Sequence, residues 1–222
     1  MQRLRVVSAA VAVAAALAVA GLGEATAAGW VKVYETDWTN GPGGWSAGQS
    51  YLPGKQSPRP WSSNHPLALK LAPVGVYFDG QCGWAIRTGG IPSKPMKIVT
   101  RMYMEGSQRN ALSVNVRNRG GGLIFKYGMG GSNCVIDNCQ GSADQPVNLG
   151  LYYRLRHPYD LISYFDGGGY YVEMKDLLTG QVQKSGRRNN LKGSGPPACI
   201  DIDQEGGRGP ALLGRVEVWL WQ

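Results

Sequence analysis

The chain has 222 residues, which is ample for one well-buried core, and β-sandwiches of this length are usually single domains. Its 23 lysines and arginines outnumber 15 aspartates and glutamates, and the formal net charge of +8 favours polyanionic partners. Its 33 glycines and 13 prolines interrupt the chain so often that no long stretch has helical periodicity, which argues against an all-helical class.

The first residues have the features of a secretory signal peptide. Arg3 and Arg5 form a positive segment, residues 6–20 an apolar run, and residues 25–27 a small-x-small cleavage pattern. The apolar run is shorter than the about 20 residues that a membrane-spanning helix needs. We therefore predict cleavage near Ala27 and a mature protein that is extracellular or periplasmic and holds no membrane segment.

Short segments with a period of two follow one another along the rest of the chain. In residues 111–117, Leu112, Val114 and Val116 share one face of a predicted strand, and polar residues share the other. Further strands are predicted at residues 97–105, 149–156, 170–174 and 215–221. Glycine-rich turns are predicted at residues 120–122, 128–132, 166–169 and 179–180. Many short strands with such turns predict an all-β sandwich or barrel.

Two segments are predicted as long surface loops. Residues 53–66 are rich in proline and serine and contain Trp61 and His65, and residues 186–197 are basic. A tryptophan in a loop is a candidate for stacking on a sugar ring, so Trp61 is a candidate ligand contact. It is equally consistent with a ring that covers one end of the sandwich.

All four cysteines follow the predicted cleavage site. An even number of cysteines in an oxidising compartment predicts disulfides. We favour Cys134–Cys139, which closes a short loop, and Cys82–Cys199, which links distant segments. A zinc site is not favoured, because no Cys-x-x-Cys pair is present and neither histidine stands at ligand spacing from a cysteine.

The order of motifs in the mature region follows a known pattern. Its parts are residues 37–38 and 44–45, residues 152–156, the hairpin at 164–171, and strands at 200–203 and 214–219. This order resembles the concanavalin A-like lectin/glucanase superfamily, including its laminin G-like members. The resemblance implies two antiparallel sheets in a jelly roll, with a concave face or its edge loops binding glycans.

An acidic triplet is the first candidate for catalysis. Asp201, Asp203 and Glu205 would lie on one face of a strand, and retaining glycosidases use two carboxyl groups about 5–5.5 Å apart. The spacing resembles the Glu-x-Asp-x-Glu motif of laminarinase-like glycosidases, with an Asp in place of the first Glu. That resemblance implies Asp201 as nucleophile, Asp203 as assisting residue and Glu205 as acid/base. The alternative is a solvated strand end, whose oxygen atoms suit a structural Ca²⁺ ion.

A lyase is the second candidate. Residues 164–170 resemble the Tyr-Phe-Lys-Ala-Gly-x-Tyr segment of alginate lyases, although Asp166 replaces the lysine. The resemblance implies Tyr170 as the catalytic tyrosine, with His157 or His65 as the base. The alternative, which we favour, is an ordinary hairpin turn.

A set of basic and polar side chains falls on strand-like segments. If those strands are neighbours, the guanidinium groups would cover one face of a sheet and bind carboxylate or sulfate through paired hydrogen bonds. Tyrosines among them could stack on sugar rings, and the alternative is an ordinary solvent face. The candidate ligand-binding residues are Arg87, Arg101, Tyr103, Asn115, Arg117, Tyr152, Arg154 and Arg156.

These observations predict a signal peptide at residues 1–27 and a single disulfide-linked jelly-roll domain at residues 28–222. Its predicted role is to bind extracellular polysaccharide, preferably acidic, as a monomer, without catalysis and without a required cofactor. The alternatives are a polyuronate lyase or glycoside hydrolase of the same fold, and an envelope or matrix structural protein. Nucleic-acid binding has only the positive charge in its favour and is not predicted.

Overall fold

The structure of the chain is a computed structural model, which describes ten stretches of it: residues 28–37, 45, 59–60, 76–78, 82–87, 95–105, 112–130, 133–137, 147–204 and 211–222. Four short parts are described by their backbone alone: residues 59–60, 76–78, 82–87 and 203–204. Several predictions fall outside the described residues, namely those for the signal peptide, Trp61, His65, Cys139 and Glu205.

The described residues form β-strands joined by turns and loops. The strands are β1 (Trp30–Thr36), β2 (Arg59–Pro60), β3 (Val76–Phe78), β4 (Cys82–Arg87), β5 (Met96–Met104), β6 (Leu112–Asn118), β7 (Leu123–Gly130), β8 (Cys134–Asp137), β9 (Val147–Tyr152), β10 (Pro158–Phe165), β11 (Tyr170–Asp176), β12 (Val182–Lys184), β13 (Pro197–Gln204) and β14 (Ala211–Trp221). No helix within these residues is long and apolar enough to cross a membrane. The alternating segments predicted at 97–105, 111–117, 170–174 and 215–221 are confirmed as strands over residues 97–104, 112–117, 170–174 and 215–221.

The strands pair into two antiparallel sheets. The eight-stranded sheet has the order β12-β11-β10-β5-β14-β3-β2, and β1 pairs with β14 on the same side as β3. The six-stranded sheet has the order β4-β13-β6-β7-β8-β9. The prediction of an all-β, two-sheet antiparallel sandwich is therefore confirmed, whereas the jelly-roll connectivity remains a prediction.

The core lies between the two sheets and is built from one face of each. Ile98 and Leu161 come from the eight-stranded sheet, and Val114 and Ile200 come from the six-stranded sheet; all four are fully buried. Their neighbours in sequence point the other way, because side chains alternate along a strand. This alternation gives each sheet an outer face, and the outer faces carry most of the polar side chains.

Two sequence predictions about turns and strands are corrected. The turn predicted at 128–132 begins too early, because β7 continues to Gly130. A Cβ on Gly128 would lie 2.4 Å from the carbonyl oxygen of Leu112, so this glycine permits a close approach of two strands. The strand predicted at 149–156 is too long, since β9 ends at Tyr152 and a turn follows.

The disulfide prediction gains no support. In the pairing of β13 with β4, Cys199 lies opposite Arg87 and Cys82 lies opposite Gln204. The two cysteines are thus five positions apart along the ladder, or roughly 17 Å, whereas a disulfide needs Cα atoms within about 7 Å. The Cys82–Cys199 pairing is therefore wrong. Cys139, the predicted partner of Cys134, lies outside the described residues, and no disulfide is present within them.

One end of the sandwich holds two hairpin turns and the long basic loop. The predicted turn at 166–169 is confirmed: the Asp166 side chain accepts hydrogen bonds from the backbone N–H groups of Gly168 and Gly169. The loop at 186–196 packs beside both turns, and Asn118 donates to the Ser194 carbonyl at 3.1 Å. The glycine-rich segments predicted at 166–169 and 120–122 thus connect adjacent antiparallel strands.

Candidate functional site

The outer face of the eight-stranded sheet carries aromatic and charged side chains. On β5, Ile98 and Met102 enter the core, and the alternation therefore turns Lys97 and Arg101 outward. Strand pairing then decides which residues of the neighbouring strands lie beside them. Because the sheet is antiparallel, side chains in register stand side by side across it, and the register shift in β1 falls just beyond Lys32, between Lys32 and Tyr34.

One register line crosses five strands. Tyr171 on β11 lies opposite Tyr164 on β10, and Tyr164 lies opposite Lys97 on β5. Lys97 in turn lies opposite Trp219 on β14, which lies opposite Lys32 on β1. At about 4.8 Å between strands, this line is roughly 19 Å long.

Two further tryptophans lie beside the line. The ring of Trp30 is 5.9 Å from that of Tyr164 and 5.4 Å from that of Trp221, both in edge-to-face geometry. Tyr164 and Tyr171 stack at 4.7 Å with an interplanar angle of 17°. Trp221 is 41% exposed. The line and its neighbours form what we term the aromatic–lysine surface: Trp30, Lys32, Lys97, Tyr164, Tyr171, Lys184, Trp219 and Trp221.

The ammonium groups of this surface lie against its rings. Lys97 Nζ is 4.2 Å from the centre of the Trp219 ring and 5.3 Å from that of Trp30. Lys184 Nζ is 4.1 Å from the Tyr171 ring, and Lys32 Nζ is 5.5 Å from the Trp219 ring. Cation–π attraction of this kind is worth about 0.5–1 kcal/mol at exposed sites, so the rings help to hold each ammonium in place.

Two glutamates orient the rings and two of the lysines. Glu217 accepts a hydrogen bond from the indole N–H of Trp219 at 2.9 Å and lies 3.6 Å from Lys32 Nζ. Glu173 accepts from the Tyr164 hydroxyl at 3.2 Å and pairs with Lys184 at 3.1 Å. Burial, together with the charge of Glu173, raises the pKa of Tyr164 to about 12, so its hydroxyl stays protonated.

An ion-pair network lies farther along the same face. Arg101 donates two hydrogen bonds to Asp160, at 2.8 and 2.9 Å, in a forked arrangement. Arg215 lies 3.2 Å from Glu217 and 3.9 Å from Asp160. Arg101 and the largely buried Tyr103, both predicted as ligand contacts, thus lie on this face, with Arg101 bound to a carboxylate of the same sheet.

Other predicted ligand contacts lie on the opposite side of the sandwich. Asn115 and Arg117 are on the outer face of the six-stranded sheet, where both donate to the carboxylate of Asp201. Arg87, described by its backbone alone, lies opposite Cys199 in that sheet. The prediction of one continuous basic face is therefore wrong: strand order separates these residues from Arg101 by the thickness of the core.

The remaining basic candidates are not on strands. Arg154 and Arg156 lie in the turn that follows β9, and Arg156 has a positive φ of 62°. Tyr152 ends β9 on the outer face of the six-stranded sheet and is 59% exposed. These three residues therefore do not join the aromatic–lysine surface.

The acidic triplet is described only in part. The side chain of Asp201 is fully buried and forms an ion pair with Arg117, an arrangement suited to holding strands together. Asp203 is described by its backbone alone, and Glu205 lies outside the described residues. Within the described side chains, no group of three or more His, Cys, Asp or Glu residues is placed to hold a metal ion, so the calcium suggestion remains a prediction.

The lyase candidates lie far apart. Tyr170 is fully buried in the core, stacked on Phe125 at 4.5 Å, at the start of β11. His157 lies near the other end of that strand, where its Nδ1 is 2.9 Å from Asp176. Asp176 lies six positions after Tyr170 along β11, a distance of roughly 20 Å, so His157 and Tyr170 do not meet at one site.

None of the tryptophans of the aromatic–lysine surface was among the ligand contacts predicted from the sequence. A signal for it was present in the alternation of β14. Arg215, Glu217, Trp219 and Trp221 share one parity, opposite to Val216 and Val218 in the core. Tryptophans that share a strand face with charged residues are candidates for solvent-facing rings.

Comparisons with known proteins inform the fold. No family model matches the sequence, and no curated protein matches it. Among solved structures, the CBM2 module of the evolved Dit of Lactobacillus casei BL23 phage J-1 aligns over 87% of this chain and 97% of its own, with 13% identity and a TM-score of 0.57. A sialidase of Trypanosoma rangeli aligns over 65% of this chain and 25% of its own, at 10% identity and a TM-score of 0.46.

A third similar structure is the galectin LEC-6 of Caenorhabditis elegans, which aligns over 64% of this chain and 94% of its own. Its identity is 16% and its TM-score is 0.42. The alignment with the CBM2 module, which spans nearly all of both chains, shows a shared fold. The chain is thus similar in fold to a β-sandwich module, and its resemblance to the concanavalin A-like superfamily remains a prediction.

Proposed function

We propose that this protein binds carbohydrate and that the aromatic–lysine surface is its ligand face. The observation that carries the proposal is the register line of rings and ammonium groups across five strands of a partly exposed sheet face. Aromatic rings give large contact areas with a polar edge, and few well-placed polar groups provide orientation. A line roughly 19 Å long suits an extended chain of sugar rings better than a single small molecule.

The similar fold supports the same proposal. One solved structure that aligns over most of this chain is named a CBM2 module, CBM being short for carbohydrate-binding module. Fold alone is a weak argument for function, so the surface described above must carry the conclusion.

The charge of the chain favours an acidic ligand. The formal net charge is +8, and removal of residues 1–27 lowers it by one unit, since they hold Arg3, Arg5 and Glu24. Three lysines lie on the rings of the proposed ligand face, and two of them also lie beside glutamates. The predicted signal peptide favours an extracellular ligand, and we therefore propose an acidic extracellular polysaccharide.

Affinity electrophoresis tests the proposal. The purified protein is run in gels that contain alginate, glucuronan, pectin or neutral β-glucan, and we expect retardation by one or more of the acidic polymers. Trp219→Ala should weaken this retardation about tenfold, because it removes the ring that Lys97 and Lys32 contact. Tyr152→Ala is the matched control, since it removes an exposed ring from the other sheet and should leave binding unchanged.

Tyr171→Ala is a second variant in case Trp219→Ala does not fold, which its thermal unfolding midpoint will show. If Trp219→Ala weakens the retardation no more than Tyr152→Ala does, the ligand binds elsewhere on the protein. The same conclusion follows if Tyr171→Ala takes the place of Trp219→Ala. Unsaturated-uronate absorbance and reducing ends are followed in the same samples. Product formation would establish a lyase or hydrolase instead, and no retardation by any polymer would favour a structural role.

A further inference from the structure

The lysines of the aromatic–lysine surface differ in how their charge is neutralised. Lys184 pairs with Glu173, and Lys32 lies within ion-pair distance of Glu35 and Glu217. These carboxylates cancel much of the charge that an incoming anion would otherwise meet. Both lysines are thus already satisfied within the protein.

Lys97 is different, because its ammonium contacts aromatic rings. Its Nζ lies between Trp219, at 4.2 Å, and Trp30, at 5.3 Å. No carboxylate of the described side chains lies within 4.0 Å of it. An ammonium group has three donors and rings satisfy none of them fully, so Lys97 keeps the capacity to bind an anion.

The surroundings of Lys97 strengthen its attraction for an anion. The residue is partly buried, and burial lowers its pKa while the charge of Glu217 opposes that change. A partly desolvated ammonium attracts a carboxylate more strongly than an ammonium in bulk water does. The aromatic rings on either side also exclude water from an ion pair formed there.

The register places Lys97 in the middle of the line. Tyr164 stands on one side of it and Trp219 on the other, on strands that are each hydrogen-bonded to β5. A sugar ring in contact with Trp219 or Trp30 would therefore bring a charged substituent to the ammonium of Lys97.

We propose that Lys97 is the residue that recognises the acidic group of the ligand, accepting one carboxylate or sulfate from a sugar that rests against Trp30 and Trp219. This inference rests on the proposed function of the surface. Lys32 and Lys184, which are neutralised by glutamates, orient the rings and add little to the selection of acidic sugars.

Titration calorimetry with defined sugars tests the inference. The probes are an oligouronate for carboxylate, sulfated dextran for sulfate, and a neutral β-glucan oligosaccharide of similar length. Lys97→Met should weaken binding of the preferred acidic probe about tenfold and leave any neutral binding within about twofold. Lys192→Met is the matched control, because Lys192 is an exposed lysine outside the aromatic–lysine surface, and it should change acidic binding less than about twofold. Lys97→Arg should retain acidic binding.

The outcomes separate the inference from the proposed function. If the unaltered protein binds none of the probes, the proposed function itself fails. If it binds and Lys97→Met keeps the same preference for acidic over neutral sugar, the inference about Lys97 is wrong and the ligand face stands. Equal losses in Lys97→Met and Lys192→Met would also overturn it, since they would indicate non-specific attraction. Lys97→Gln serves as a second variant if the methionine form does not fold.

Discussion

At the scale of single residues, the six-stranded sheet contains a buried charge that needs its partners. Asp201 is fully buried on the outer face of that sheet, and its carboxylate accepts from Asn115 and Arg117. Arg117 also donates to the Gly121 carbonyl at 3.2 Å, which connects the ion pair to the β6–β7 turn. Residues predicted from the sequence to act in catalysis or ligand binding thus connect β13, β6 and the β6–β7 turn.

Arg117→Met should lower the free energy of unfolding by about 3 kcal/mol, because it removes the guanidinium group that pairs with the buried carboxylate of Asp201. Chemical denaturation measures this change. Adding Asp201→Asn to Arg117→Met should recover part of the loss, since a neutral amide requires no cation. Arg154→Met, in an exposed turn, should change stability by less than about 0.5 kcal/mol. Equal losses at both arginines would show that the ion pair is not a stabilising link.

At the scale of elements, β6 and β7 approach each other unusually closely at Gly128. A Cβ there would lie 2.4 Å from the Leu112 carbonyl oxygen and 2.7 Å from Ser113 Cα, and both atoms belong to the backbone. Backbone atoms in the middle of a sheet cannot move aside without breaking its hydrogen bonds.

Gly128→Ala should therefore lower the free energy of unfolding by about 1–3 kcal/mol through overpacking. Gly186→Ala is the matched control, because nothing lies within 4 Å of its added Cβ and its φ is not positive. That variant should be neutral or slightly stabilising. The urea unfolding midpoints of Gly128→Ala and Gly186→Ala test this expectation. Similar midpoints for the two variants would contradict the close approach of β6 and β7.

A second link between elements joins the β10–β11 turn to the long basic loop. Asp166 pairs with Arg187, and this hydrogen bond, supported by the N–H groups of Gly168 and Gly169, lowers the pKa of Asp166 to about 2. The ordinary value is 3.8, so the folded state holds the carboxylate ionised at lower pH than the unfolded state does.

Because the folded-state pKa is depressed, the contribution of Asp166 to stability is complete above about pH 4 and lost as pH falls towards 2. The pair is about half exposed, so solvent screening keeps the contribution below about 1 kcal/mol. Asp166→Asn should remove the loss of stability between pH 4 and pH 2 that comes from Asp166, and it should leave the pH dependence due to other groups unchanged. Urea midpoints at pH 6, 4 and 2 measure it, and parallel curves for both proteins would contradict the assignment.

At the scale of the whole molecule, the two outer faces differ in accessibility. On β6 and β7 in the middle of the six-stranded sheet, Ser113 and Asn115 are 1% exposed and Lys126 is 7% exposed, whereas Tyr152 on the edge strand β9 is 59% exposed. On the eight-stranded sheet, Trp30, Lys97 and Trp219 are partly exposed and Trp221 is exposed. A polysaccharide needs a face that its rings can reach, and this difference is why the proposed ligand face lies on the eight-stranded sheet.

The sequence by itself determined the class of fold and several of the strands, among them β5, β6, β11 and β14. The alternation of Leu112, Val114 and Val116 with polar residues is a local property with a period of two, and it predicted β6 correctly. The turn at residues 166–169 likewise follows from glycines next to an aspartate. Such features depend on neighbours in the chain and therefore need no tertiary information.

Only the tertiary structure decided which residues share a face. Arg101 and Arg117 both stand on strands, but strand order puts them on opposite sides of the core. In the same way it brings Lys97 beside Trp219, 122 positions later in the numbering, and separates Cys82 from Cys199. Pairing between distant strands depends on the packing of the whole sandwich, because no local pattern specifies which strand lies beside which. For that reason the residues of the proposed ligand face can be identified only from the strand register of the eight-stranded sheet.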